Sequence, residues 1–268
     1  MNHLHRELAP ISEGVWEILE HEAKTRLTTH LAARRVVDFV GPSGWSHSAT
    51  NLGRTEEIAA PSEGVSAARR RVQPLVEFRA EFHVSRIDLD DAERGAADLD
   101  LAELDEAARQ ISIGENVTVF HGFGAGGIRG ITESTSHEPL ELTDETAQYP
   151  TVVARGTDTL RKAGIDGPYA LVLSPELFTR IVETTEHGGV LLFDHLAQIL
   201  GGPLVWGPGV DGGVLLSLRG GDFRLECGQD LSIGFLDTTP EVVTLYLEES
   251  LTFTVLEPDA ALALRLAP

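Results

Sequence analysis

GGDFRLECGQDLSIGFLD, residues 220–237, sets glycines at 220, 221, 228 and 234 around two short apolar runs. Two readings fit it: a ligand site rich in glycine and acid, or short strands whose glycines set turns and bulges. The rest of the chain decides between them. Its 268 residues suffice for one large domain or two modest ones with a sizeable core. Apolar residues make up 42%, an ordinary globular share, but the formal net charge is −21. A surface that acidic repels phosphate backbones, so nucleic acid is not an expected partner. ARRR at 68–71 is a local basic candidate and reads as a solvated loop tip. Cys227 is the only cysteine, which excludes an intrachain disulfide or a cysteine metal cluster and suits a reducing cytoplasm. The N-terminus lacks the apolar core of a secretory signal, and no apolar run is long enough to span a membrane, so neither export by that route nor a membrane partner is expected.

Working outward, the pattern is α+β, with strands and helices that do not alternate regularly. Residues 12–32 read as an amphipathic helix with Ser12 as N-cap and Ile11, Val15, Leu19, Ala23 and Leu27 on one stripe. A strand-like ARRVVDFVGP follows and ends in GPSGW at 41–45. Residues 46–75 are polar and weakly patterned, an extended loop or loose hairpin. So long an arm is unusual in a compact monomer, but in an assembly it can bury itself on a neighbour. Residues 76–84 alternate, with Val76, Phe78, Ala80, Phe82 and Val84 on one face. Asp100 can cap a helix through Leu101, Leu104, Ala108 and Ile111 that continues past Gly114. A helix over 151–163 stops at Gly164, YALVLS at 169–174 is a buried strand, and Ser174 with Pro175 opens another helix. From Pro203 onward the chain is mostly strand.

Several motifs tempt a catalytic or ligand reading and lack its context. Gly122, Gly124 and Gly127 match G-x-G-x-x-G, but no helical stripe follows, so a flexible loop is expected instead of a dinucleotide cradle. In DLDDAERGAADLDLAELDE, residues 88–106, Ala92 stands where a third calcium ligand belongs and Gly95 is out of register; helix caps and a solvated face fit better. His21–Glu22 and His137–Glu138 lack the second histidine of a zinc-protease helix, and no G-x-S-x-G elbow occurs. No enzyme activity, catalytic residue or metal site is expected.

The opening stretch then takes on a second meaning. RGGDFRLECGQDLSIGF at 219–235 and EESLTFTVLEPDA at 248–260 resemble the C-terminal region of encapsulin shell proteins, once called linocin-like bacteriocins. LAPISEGVW at 8–16, RRVVDFVGPSGW at 34–45, PLVEFRAEF at 74–82, DDAERG at 90–95 and GIDGPYALVL at 164–173 extend the resemblance in order along nearly the whole chain. The resemblance implies the fold of tailed-phage major capsid proteins, the Hong Kong 97 type. In this chain that gives an N-terminal cargo-facing helix and the start of a peripheral domain over 1–45, and an E-loop over 46–75. The peripheral domain with its spine helix follows over 76–130, a pore-forming axial domain over 131–220, and a return to the peripheral domain over 221–268. It further implies self-assembly into a closed icosahedral cage of about sixty subunits in the cytoplasm.

Such a cage takes in a cargo enzyme, a dye-decolourising peroxidase or a ferritin-like protein, whose C-terminal targeting peptide docks on the inner wall. By position in the matching blocks, Arg34, Val36 and Asp38 would contact that peptide, with Leu231 and Ile233 as apolar wall and helix 12–32 alongside. Arg34 or Asp38 would set its polarity; alternatively these two, four apart, pair internally. The loop 184–195 would border the fivefold pore. There His187 is either one of a ring of imidazoles that titrates near neutral pH or a loop histidine without a role, and Gly188 and Gly189 would make the loop mobile. Some members carry a flavin stacked on a tryptophan; Ile87 stands near that position here, so no cofactor is expected. The rival readings are a phage or prophage major capsid protein and, more weakly, a peptidase.

Overall fold

The computed structural model describes residues 3–185, 189 and 191–266. From the N-terminus it runs α1 (Glu13–His30), β1 (Asp38–Val40), β2 (Ala49–Ile58), β3 (Ala67–Pro74), β4 (Val76–Ser85), α2 (Arg86–Glu93), α3 (Ala102–Phe120), α4 (Ile131–Ser134) and β5 (Leu140–Leu142). There follow α5 (Tyr149–Lys162), β6 (Tyr169–Leu173), α6 (Pro175–Glu183), α7 (Leu192–Leu200), β7 (Leu204–Trp206), β8 (Gly213–Ser217), β9 (Phe223–Cys227), β10 (Ser232–Thr238), β11 (Val242–Val255) and β12 (Ala261–Leu266).

β11 organises the first sheet. Along one edge β4 pairs antiparallel from Ser85↔Val242 to Val76↔Leu251; along the other lie β10 and then β9, end to end, with β1 parallel beyond β9. The alternation at 76–84 serves this sheet: Phe82 and Val84 are buried while Glu81 and His83 face solvent. Val15, Leu19, Ala23 and Leu27 of α1 pack with Leu104, Ala108 and Ile111 of α3 and with Ile233, Leu245 and Leu247 of the sheet. The second sheet has the order β5-β12-β8-β6-β7, with α5, α6 and α7 against it. β2 and β3 form a two-stranded sheet of their own.

Local signals explain most elements. The Ser174 hydroxyl accepts from Leu177 N–H at 3.3 Å, and Pro175 takes the first helical position of α6. Asp100 stands one residue ahead of the N-cap of α3, Leu101, and its Oδ1 accepts from Ala102 N–H at 3.1 Å; the helix passes through Gly114 to Phe120. Gly164, at φ +82°, ends α5. Other signals are overridden by tertiary contacts. The Ser12 side chain makes no cap bond. In 33–42 only Asp38–Val40 is strand, because a 3-10 turn forms over Ala33–Arg35. That turn is pinned by buried Asn116, whose Oδ1 accepts from Ala32 and Ala33 N–H, both at 3.0 Å. The glycine-rich 122–130 is not a loose loop; a Phe123–Ile128 bridge closes it. The last strand lies apart from the rest of the C-terminal strands. β12 lies between β5 and β8 in the second, where Ala261–Leu264 are buried.

The opening stretch is two strands that pair with β11 in succession and not with each other. Cys227 pairs with Leu251 and Ser232 with Glu248, so the four residues 228–231 lie opposite two, 249 and 250. The extra residues form a bulge, held by Gly228 N–H to Ser250 O and Gln229 N–H to Ser250 Oγ, both at 2.8 Å. Gly220 and Gly221, at φ +82° and +83°, turn the chain into β9. Gly234 does neither: it sits within β10 opposite Tyr246, and a Cβ there would lie 2.2 Å from Tyr246 Cζ. Gly234→Ala is therefore expected to destabilise the subunit by about 1–3 kcal/mol through overpacking. Thermal melting should show that loss; an unchanged melting temperature would mean that the ring moves aside freely.

Candidate functional site

The bulge at 228–231 carries Asp230 and Leu231 toward the turn at 33–35, and α1 lies across the same region. Between them is a groove of about 420 Å³. Ala23 and Leu27 of α1 and Leu31 just past its end line it on one side, and Leu231, Ile233 and Leu247 from the sheet on the other. The α1 residues recur every fourth position because one helical stripe serves both the core and the groove. Arg6, Glu20, Lys24, Thr28 and Ser232 supply polar groups around this apolar surface. Arg6 is held at 2.6 Å by Glu20 and stacks over the Trp16 ring at 4.2 Å, whereas Lys24 is exposed.

Arg34 closes one end of the groove. Its Nε donates to Glu115 Oε2 at 2.7 Å, Nη1 to Asp230 Oδ1 at 2.7 Å and Nη2 to Glu249 Oε2 at 2.9 Å. Phe39 covers the guanidinium, its ring centroid 4.7 Å from Cζ. Burial opposes the Arg34 charge, but the attraction of Glu115 and Glu249, with Asp230, outweighs it and raises the pKa. Glu115 and Glu249 are both fully buried. Burial raises each pKa, and the neighbouring Glu115 charge holds that of Glu249 higher still.

Of the five residues expected to meet a peptide, Arg34, Leu231 and Ile233 share this groove. Val36 and Asp38 instead line a second cleft of about 260 Å³ with Ser217, Gly220 and Phe223, which shares no lining residue with the groove. The alternative Arg34–Asp38 pair does not form. The 3-10 turn sends Arg34 inward to the buried acids, while Asp38 Oδ2 accepts from Gly221 N–H at 2.6 Å. His187 and Gly188 lie outside the described residues; Gly189 has φ +84°. Ile87 is exposed at the start of α2. Sequence reasoning gave Ala23 and Leu27 to the core alone and missed Lys24, Leu31, Glu115 and Glu249. For the last, a signal was legible: Glu248 and Glu249 interrupt the apolar run of β11. Among the described residues no group of three or more histidine, cysteine or acidic side chains is placed to hold a metal ion, and no helix is long and apolar enough to cross a membrane.

A family model described as "Encapsulating protein for peroxidase" matches residues 1–252. The chain is 49% identical over 271 residues to the type 1 encapsulin shell protein of Rhodospirillum rubrum, covering 99% of this chain and 97% of that one. Among solved structures it resembles the virus-like particle of Pyrococcus furiosus, with a TM-score of 0.64 at 15% identity over 92% of this chain and 98% of the other. It also resembles the capsid of an empty GTA particle, with a TM-score of 0.56 at 14% identity over 89% and 90%. The structural likenesses establish the α+β capsid-protein fold of the Hong Kong 97 type; at such identities they carry the fold alone.

Proposed function

The chain belongs to the encapsulin shell proteins, and on that premise we propose that its copies close into an icosahedral cage of about sixty subunits holding a cargo enzyme by a peptide laid in the groove beside α1. Its role is structural: it is a shell protein, not an enzyme. The observation that carries the docking reading is the groove itself, an apolar floor within a polar rim and built partly from the two segments that the sequence marks. An extended peptide with small and aliphatic side chains fits this chemistry: its side chains fill the space between Leu27 and Leu231, and its backbone meets Thr28, Lys24 and Ser232. Arg34 supports the wall from below, since three carboxylates of its own chain already engage it. Val36 and Asp38, in the second cleft, would meet the peptide only beyond the groove.

The family description points to a peroxidase as cargo, with a ferritin-like protein the alternative. An oligomeric cargo would present several peptides at once, so weak single docking suffices. A cytoplasmic cage fits the lone buried cysteine, and the charge of −21 argues against a nucleic-acid filling. The loop 184–195, including His187, Gly188 and Gly189, would border the fivefold pore.

Co-expression with a peptide-tagged peroxidase tests the groove. Leu231→Asp places a charge in it, and Thr28→Trp fills it from a surface position. Both should leave cages intact and lower cargo per cage roughly tenfold, the effect of losing about 1.4 kcal/mol of docking free energy. Wild-type loading in both variants would place the docking site elsewhere.

A further inference from the structure

The acids around Arg34 outnumber what one guanidinium can neutralise. Glu115 on α3 and Glu249 on β11 each give Oε2 to Arg34, and Asp230 from the bulge gives Oδ1. The remaining oxygens of the two glutamates, Oε1 in each, are buried without a hydrogen-bond partner. Both carboxyl groups sit on the same guanidinium, and if both were ionised neither could donate to the other, because carboxylates are acceptors only. One proton resolves both problems: it turns a repulsive pair into donor and acceptor and occupies oxygens that burial would otherwise leave unpaired.

The other groups facing the cluster do not supply the missing positive charge. The Cys227 thiol on β9 is pushed up to about 12, first by burial and then by Asp230, so it stays neutral. The Phe39 ring is uncharged, and among the described residues Arg34 is the cation paired with Glu115 and Glu249.

We propose that Glu115 and Glu249 share one proton at neutral pH, and that this bound proton is a structural part of the shell subunit. With it, the cluster holds one guanidinium, one shared-proton carboxyl pair and Asp230. Without it, two negative charges face each other out of water. The site joins α3, the turn at 33–35, the bulge at 228–231 and β11, so loss of the proton loosens the end of the groove and the central strand together. This holds whatever occupies the groove.

The pH sense follows from the direction of the shifts. Burial, and for Glu249 also the Glu115 charge, raises the folded pKa values above the ordinary glutamate value of about 4.3. The proton's contribution is therefore complete below that value and is lost as pH rises through the raised one. Infrared difference spectra of assembled shells against Glu249→Gln and Glu115→Gln give the direct test. At neutral pH the wild type should show a carbonyl stretch of a neutral carboxylic acid, lost in both variants, because each leaves a single acid that Arg34 keeps ionised. Melting temperatures taken between about pH 6 and pH 9 should fall in the wild type, with the slope at least halved in Glu249→Gln. A wild type without the band would overturn the proposal. So would a band that survives in Glu115→Gln, which means an unshared proton on Glu249, or identical melting slopes.

Discussion

Arg34→Ala is expected to destabilise the subunit by about 3–5 kcal/mol, because it leaves Glu115 and Glu249 buried without their counter-charge. Against a typical folding stability of about 5–15 kcal/mol, that loss is large enough to lower the yield of assembled shells. Arg34→Lys should recover only part of it. A single ammonium on a flexible stem does not reproduce the planar fork that reaches three carboxylates on three different segments. Adding Glu249→Gln to Arg34→Ala should restore some stability by removing one of the stranded acids, a non-additivity that a double-mutant cycle measures. The loss should appear in empty shells without cargo. Were Arg34 mainly a peptide contact, the empty variant would melt like the wild type and only loading would suffer.

Cutting back the arm should have the largest effect on assembly. Among the described residues β2 and β3 pair with each other and with no other strand, and Ile58, Val65 and Val72 are exposed at 46%, 53% and 49%. A two-stranded hairpin is marginal on its own in water, so these apolar side chains need a surface that this chain does not supply. Near its base the arm is tied to the body by Thr50 to Glu226 and Gln73 to the Gly127 carbonyl. Beyond those ties lies the exposed arm, whose removal leaves both cores untouched. Replacing 54–71 by a short turn is thus expected to give folded, soluble subunits that no longer form closed particles, with megadalton material absent on sedimentation. Closed shells of normal mass from the shortened chain would show that closure rests on other surfaces.

Some features were legible because their causes are local. The alternation at 76–84, the Ser174–Pro175 start of α6, the Asp100 signal ahead of α3 and the stripe of α1 each follow from backbone period or a nearby polar side chain, and the structure contains all four. The arm at 46–75 was legible as an anomaly, being too long and too polar to belong inside one compact subunit. The acidic run at 88–106 was legible as helix caps and a solvated face; it holds the end of α2, a helix that no signal had marked, and the start of α3.

The groove was legible only in part. Leu231 and Ile233 stood out within the matching block, but Lys24 and Leu31 look like ordinary helix positions until α1 is laid across β10. Gly234 reads as one more turn former until Tyr246 is placed opposite it. By itself, then, the sequence determined the main helices and several strands, their buried faces, the family and the acidic composition, because period, caps and composition act over a few residues or over the whole chain. Only the tertiary structure decided that β9 and β10 share one edge of β11, that the bulge between them delivers Asp230 to Arg34, and that Glu115 and Glu249 meet behind it. Those pairings join segments distant in the chain, and the cost of leaving a charge or a hydrogen-bonding oxygen unpaired out of water selects them, a cost that exists only once the surrounding faces have closed.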